Sequence, residues 1–243
     1  MPPKQSAPIL EPPSENVRFE IGLDECGRGP LFGRVYAAAV ILPKLGSEST
    51  LFDFSKIKDS KKIHSKKKMR ELADHIKEHA IAYSIQFVDS EQIDRINILQ
   101  ADMQAMHECI KEIVDKLPPK SDQDAILLVD GNYFKPYCFF NQEMNGGEGG
   151  LFYMTHQTVE QGDSKHATIA AASILAKDAR DDYILKLCEE YPELKTRYSL
   201  DKNMGYGTKA HLEGIAQYGI TQWHRRTFGP CKSAIVQVMK NQP

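Results

Sequence analysis

Hydrophobic and polar residues alternate along the first ordered part of the chain. Val17, Phe19, Ile21 and Leu23 are separated by polar residues or glycine, the period-two pattern of a strand. GRGPLFG follows as a turn, and Arg34 to Leu42 reads as a second, β-branched strand. Ser65 is placed to cap a helix that carries Met69, Leu72 and Ile76 on one face. Alternation returns at Ile81, Tyr83, Ile85 and Phe87, a third strand. From Asn97 the apolar positions Leu99, Met103, Met106, Ile110, Ile113 and Leu117 step by four and three, an amphipathic helix stopped by Pro118-Pro119. Ala125 to Val129 is a short, wholly apolar strand that ends at Asp130. EMNGGEGG (143–150) reads as a loop and Phe152 to Val159 as a further strand. An alanine-rich helix over Ile169 to Leu187 follows, and a last helix over Thr208 to Tyr218 ends at Gly219. Three strands, then strands alternating with helices, predict an α/β sandwich around a mixed sheet.

Composition narrows the class. The 243 residues are 41% apolar, enough for a core, and allow one large domain or two small ones. The longest apolar run, Val35 to Leu42, is far below the roughly 18 residues a membrane span needs. Residues 1–16, with five prolines and one lysine, lack the apolar stretch of a signal peptide and are expected to form a disordered tail. Five scattered cysteines without CxxC argue against a disulfide framework or zinc ribbon and for a reducing, cytosolic compartment.

A net charge of −2 conceals asymmetry. Lys56–Arg70 holds eight basic residues and one acid, and Lys195–Lys232 holds seven and two. Joined, these segments would make a phosphate-neutralising surface; separately they read as solvated helix faces.

Candidate chemistry gathers at strand ends. Asp24 and Glu25 close the first strand, Asp130 closes the buried one, and Asp163 precedes the long helix. Sites in α/β sheets lie beyond the carboxyl ends of strands. Neighbouring carboxylates repel and want protons or a cation, and oxygen ligands without histidine or cysteine select magnesium or manganese. Two such ions about 4 Å apart would suit phosphodiester chemistry; otherwise Asp24-Glu25 merely opens a turn. GRGPLFG lacks the spacing and the following helix of a dinucleotide fingerprint. His75, Glu78 and His79 match the H-x-x-E-H of one zinc peptidase group but lack a third ligand and fit an exposed face beside Leu72 and Ile76. Cys26 reads as a small residue or an exposed, reactive thiol, and Tyr206 as a packing residue in a glycine-flanked turn. Trp223 with His224-Arg225-Arg226 suits nucleic acid or a structural cation–π contact.

Taken in order, IGLDECGRGPLFGRV, IKDSKKI, RINILQADMQAM, LLVDGN, QGDSKHATIAAASILAKDARD, GYGTKAHL and HRRTFGP resemble the type 2 ribonuclease H (ribonuclease HII) family, in its bacterial single-chain form. The resemblance implies a ribonuclease H-like fold: a mixed five-stranded sheet flanked by helices, catalytic over 17–190, with a helical C-terminal extension over 191–243. It implies a cytoplasmic, monomeric endoribonuclease that acts on RNA–DNA hybrids and on ribonucleotide-containing duplex DNA, with two Mg2+ or Mn2+ ions. The family's four acids fall on Asp24, Glu25, Asp130 and Asp163 and its glycine-arginine-glycine motif on Gly27, Arg28 and Gly29. Its specificity tyrosine falls on Tyr206 and its phosphate-contacting lysine on Lys61. A non-catalytic binding module of the same fold is the alternative, and the zinc peptidase another. Cys26 stands where the family has alanine, Gly207 where it has proline, and the 146–156 loop is longer than usual.

Overall fold

The computed structural model describes residues 10–45, 52–57, 65–118, 124–142 and 147–239. Five strands form the main sheet: β1 (Phe19–Cys26), β2 (Val35–Ile41), β3 (Ala82–Val88), β4 (Ala125–Asp130) and β7 (Thr155–Val159), in the order β3-β2-β1-β4-β7. β1, β2 and β3 run antiparallel as a meander, whereas β4 and β7 lie parallel to β1. The sheet is mixed and five-stranded, as the sequence implied.

Both faces of the sheet are covered, and β2 shows why its pattern is apolar throughout. Val35, Ala37, Ala39 and Ile41 point into one core against α3 (Ile98–Lys116). Tyr36, Ala38, Val40 and Leu42 point into the other, with α1 (Lys66–His79) and α4 (Ala167–Glu190). Ser65 caps α1 by accepting from Lys68 N–H, and Asn97 caps α3 by accepting from the Leu99 and Gln100 amides. Every residue of α4 from Ala167 to Ala176 is buried. Its alanines let it lie close to the sheet, and at Gly22 a Cβ would run into the Thr168 main chain. Close approach, not turn geometry, requires that glycine.

Several elements depart from the sequence expectation. The strand expected over Phe152–Val159 breaks at Met154, 98% buried: β6 (Gly150–Tyr153) pairs with β5 (Cys138–Asn141) in a separate hairpin, and β7 alone joins the main sheet. A short α2 (Ser90–Ile96), capped by Asp89, precedes α3. Within the expected tail of 1–16, the chain from Leu10 onward is docked: Glu11 N–H donates to the Lys165 carbonyl, Ala167 N–H donates to the Glu11 carbonyl, and Leu10 joins the α1–α4 core. Beyond α4, α5 (Glu193–Tyr198), α6 (Leu200–Asn203) and α7 (Lys209–Tyr218) fold around a third core of Phe32, Ile184, Cys188, Leu194, Tyr198 and Ile215.

Candidate active site

Register brings the first acids together. β1 and β4 are parallel with Leu23 opposite Val129, so Asp24 and Asp130 end side by side. Both line a cavity of about 630 Å³ with Glu25, Gly27, Arg28, Gly29, Lys66, Ser173, Lys177 and Tyr206. Asp163 lies in the one-turn helix Gly162–Ser164 behind this wall, 1% exposed, and is not on the cavity lining. Its neighbour Gly162 donates N–H to Asp130 Oδ1 at 2.6 Å, which ties the fourth acid's turn to the third acid.

The electrostatics is that of crowded like charge. Burial, then the charges of Glu25 and Asp130, hold the Asp24 carboxyl well above the usual carboxylate range. Burial also raises Glu25, against the opposing pull of Arg28. A fifth acid, Asp102 on α3, is completely buried and likewise held well above its usual range, by burial and then by Glu25. Arg28 lies between two of these groups, with Nη1 3.6 Å from Glu25 Oε1 and Nε 3.6 Å from Asp102 Oδ2.

Do these groups fit a divalent cation? The donors on the cavity wall are hard carboxylate oxygens, the chemistry magnesium and manganese select. Burial and neighbouring carboxylates raise Asp24 and Glu25, a crowding of like charge that a cation would relieve. Among the described residues no three His, Cys, Asp or Glu side chains already form a closed ligand cage. As they lie, the acids are turned to internal donors: Asp24 Oδ1 accepts from the Glu25 amide at 2.7 Å, and Asp130 Oδ1 from Gly162. The donor set fits in its chemistry, and loading it would require these side chains to converge on a common point.

Above the acids, two buried arginines build the glycine turn. Arg225, 0% exposed, donates through Nε to Gly33 O, Nη1 to Arg28 O and Nη2 to Gly27 O, at 2.9, 2.9 and 2.6 Å. Arg180, 1% exposed, donates to Met204 O at 2.9 Å and approaches the Phe32 and Arg34 carbonyls. Gly27 has φ +100°, and a Cβ there would strike the Arg180 side chain. The guanidinium forks thus spend their donors on main-chain carbonyls. Burial pulls Arg225 down to about 9, so it stays charged at neutral pH. Of the two readings the sequence leaves open here, nucleic-acid contact or structural cation–π contact, Arg225 follows the second: it is buried, with its guanidinium carbon 5.1 Å from the Phe228 ring centroid. Arg180 and Asp102 lie within stretches that resemble the family, but the sequence alone assigns them no role. An acid beside Ala101 and Ala105 on the inner stripe of α3 was the available signal.

Tyr206 is 47% exposed at the cavity mouth, where a Cβ on Gly29 would lie 3.6 Å from its ring. Although Gly207 replaces the usual proline, Thr208 N–H donates to the Tyr206 carbonyl at 2.8 Å and His211 Nδ1 lies 2.9 Å from it. The Leu31 amide donates to Gly205 O, which fastens this turn to the glycine turn. Lys61 lies outside the described residues. Lys66 Nζ, which reaches the Asp201 carbonyl at 3.3 Å, connects the two basic segments.

The remaining candidates have other occupations. His75 Nε2 accepts the Asp53 amide at 3.2 Å and its ring stacks on Phe52, while His79 packs edge-on against it. That nitrogen is committed within the fold. Burial pushes the Cys26 thiol up to about 11, so it is not a reactive thiolate.

A mixed five-stranded β sheet flanked by helices, with acids at the carboxyl ends of two adjacent parallel strands, has the architecture of the ribonuclease H-like α/β class. The chain belongs to the ribonuclease HII family, metal-dependent endoribonucleases that hydrolyse RNA in RNA–DNA hybrids; the family profile matches residues 21–231. The ribonuclease HII of Parabacteroides distasonis is 43% identical over 222 residues, covering 90% of this chain and 94% of that one. The ribonuclease H2 of Pyrococcus horikoshii shares the fold, with a TM-score of 0.62 and 22% identity over 88% of this chain and 95% of that one. A Bst ribonuclease HIII solved in complex with Mn2+ has a TM-score of 0.56 and 20% identity over 88% of this chain and 68% of that one. Among the described residues no helix is long and apolar enough to cross a membrane.

Proposed function

We propose that this chain, as a cytoplasmic monomer, hydrolyses the RNA strand of RNA–DNA hybrids. It also cuts on the 5′ side of ribonucleotides embedded in duplex DNA, leaving 3′-hydroxyl and 5′-phosphate ends. Asp24, Glu25, Asp130 and Asp163 would hold two Mg2+ or Mn2+ ions. Bound there, such ions supply an activated water and charge stabilisation for the leaving oxygen. The observation that carries the reading is a single cavity lined by Asp24, Glu25, Asp130, the Gly27–Gly29 turn and Tyr206.

Each part has a task in that reading. The body over 17–190 supplies the acids, and the extension over 191–243 supplies Tyr206 and basic residues. Lys61 is assigned a phosphate contact, which positions the duplex without reading its sequence. The main chain of Gly27, Arg28 and Gly29 recognises the 2′-hydroxyl, the group that tells RNA from DNA at one position. Tyr206 packs on the sugar and hydrogen-bonds to that hydroxyl.

Cleavage of a labelled DNA duplex carrying one ribonucleotide, with magnesium and then with chelator, tests the whole. Tyr206→Ala should lose most of this activity, on the order of 10²-fold or more, because a site built to bond a hydroxyl depends on that bond. Tyr206→Phe should keep an intermediate fraction. Wild-type cleavage by Tyr206→Ala would return the tyrosine to a packing role. Cutting that survives the chelator would remove the metal reading.

A further inference from the structure

Among the described residues Asp102 is the carboxyl group with both oxygens buried and without a hydrogen-bond partner. It occupies the second turn of α3, fully buried, and neither of its carboxylate oxygens accepts a hydrogen bond. A buried carboxylate without donors is costly unless a cation compensates it. The cation here is Arg28, a residue whose side chain is 47% exposed and could have extended into solvent. Its main chain cannot follow, because Arg225 holds the Arg28 carbonyl at 2.9 Å. Only the side chain is free to choose a partner, and it stands 3.6 Å from Glu25 on one side and 3.6 Å from Asp102 on the other.

We propose that Asp102 is a positioning residue that draws the Arg28 guanidinium back from Glu25 and so keeps the Glu25 carboxylate available to a divalent cation. This rests on the reading of Glu25 as a metal-binding carboxylate. Without the buried charge, Arg28 has one carboxylate left to pair with. Glu25 would then hold alone the counter-ion it now shares with Asp102, and an incoming cation would have to displace it fully. Asp102 acts through Arg28 and touches no reacting atom.

Mn2+ binding to the full, metal-free chain, followed by the electron paramagnetic resonance of free Mn2+, separates the possibilities without measuring turnover. Asp102→Asn should weaken Mn2+ binding roughly fivefold, the scale of one lost charge contact at a half-exposed site. In an Arg28→Met background the same Asp102→Asn step should shrink to within about twofold, since the competitor is gone. Asp102→Ser provides a second, smaller replacement, and a thermal melt confirms that each variant folds. Undiminished Mn2+ binding by both Asp102 variants overturns the proposal. So does a loss of equal size with and without Arg28, which would mean that Asp102 acts by its own charge. Glu25→Gln is the control for the underlying reading. If it binds Mn2+ as the wild type does, Glu25 is not a ligand; if it binds weakly while Asp102→Asn does not, only the positioning role fails.

Discussion

Two clusters of buried titratable groups lie at opposite sides of the Tyr206 turn, and they are solved in opposite ways. In the C-terminal core His211 and His224 are 0% and 1% exposed. The Thr221 amide donates to His224 Nδ1 at 3.0 Å, so the proton of that ring sits on Nε2. It points at His211 Nε2, 3.1 Å away, and His211 Nδ1 then donates to the Tyr206 carbonyl at 2.9 Å. Every ring nitrogen has a partner while both rings are neutral, and burial holds His224 down to about 3. The acids at the sheet end have no such closure. Asp24, Glu25 and Asp102 are pushed up first by burial and then by neighbouring carboxylates, Glu25 and Asp130 for Asp24, Asp130 for Glu25 and Glu25 for Asp102, with a half-exposed arginine as the cation between two of them. Burial alone therefore does not mark a site. Unrelieved like charge facing a cavity does, and a closed donor–acceptor chain marks scaffold.

The largest effect should come from neutralising one acid. Asp24→Asn keeps the shape and the bond from the Glu25 amide but removes one of the charges proposed to hold the metal. Turnover at saturating magnesium should fall on the order of 10³-fold, since several kcal/mol of charge stabilisation go with the ion. Circular dichroism should show the fold intact. Near-wild-type turnover would place Asp24 with the scaffold group and erase the contrast.

Next in size is the support of the glycine turn. Arg225→Lys keeps the charge but replaces a three-pronged fork by a point donor, leaving carbonyls among Gly27, Arg28 and Gly33 without a partner. Each unpaired buried carbonyl costs about 1–3 kcal/mol, so stability should fall by about 2–4 kcal/mol in urea unfolding. A change below about 0.5 kcal/mol, typical of an exposed residue, would return Arg225 to the surface role that its basic segment suggested beside the structural cation–π reading.

That ambiguity shows what a sequence can and cannot display. The alternation of β1 and β3, the wholly apolar run of β2, the stop before Pro118 and the caps at Ser65 and Thr208 are local, and these elements stand close to their expected bounds. Local signals failed where pairing is decided at long range. Phe152 to Val159 looks like one strand because nothing in it reports that β6 has β5 for a partner and β7 has β4. α2 is too short to show a period, and only Ser90 and Ile93 are buried in it. Within the site, Asp24, Glu25 and Asp130 were legible because strand ends are legible. Arg225 and Asp102 were not, since a charged residue reads as solvated until a fold surrounds it. Only the tertiary structure shows that one clamps three carbonyls and the other sits behind Arg28.

The smallest effect sharpens the contrast most, because the two clusters should respond to pH with opposite sign. A carboxyl whose folded pKa is raised binds its proton more tightly in the native state. Metal-free stability therefore falls as pH rises from the ordinary carboxylate range, near 4, through the raised values of Asp24, Glu25 and Asp102. His224, with its folded value depressed to about 3, does the reverse: its contribution is present above about 6.5 and is lost as pH falls toward 3. Urea unfolding in chelator at pH 5, 6.5 and 8 separates them. Relative to the wild type, Asp24→Asn should gain stability between pH 5 and pH 8, because it lacks the raised carboxyl that must otherwise ionise there. Saturating Mg2+ should recover a similar amount at pH 8 in the wild type and much less in the variant, because a ligand of the native state stabilises by its own binding energy. His224→Phe should show its difference at the acid end instead, flattening the decline between pH 6.5 and pH 5. A pH-independent offset in Asp24→Asn would mean that its carboxyl is as relieved by internal partners as the imidazoles are.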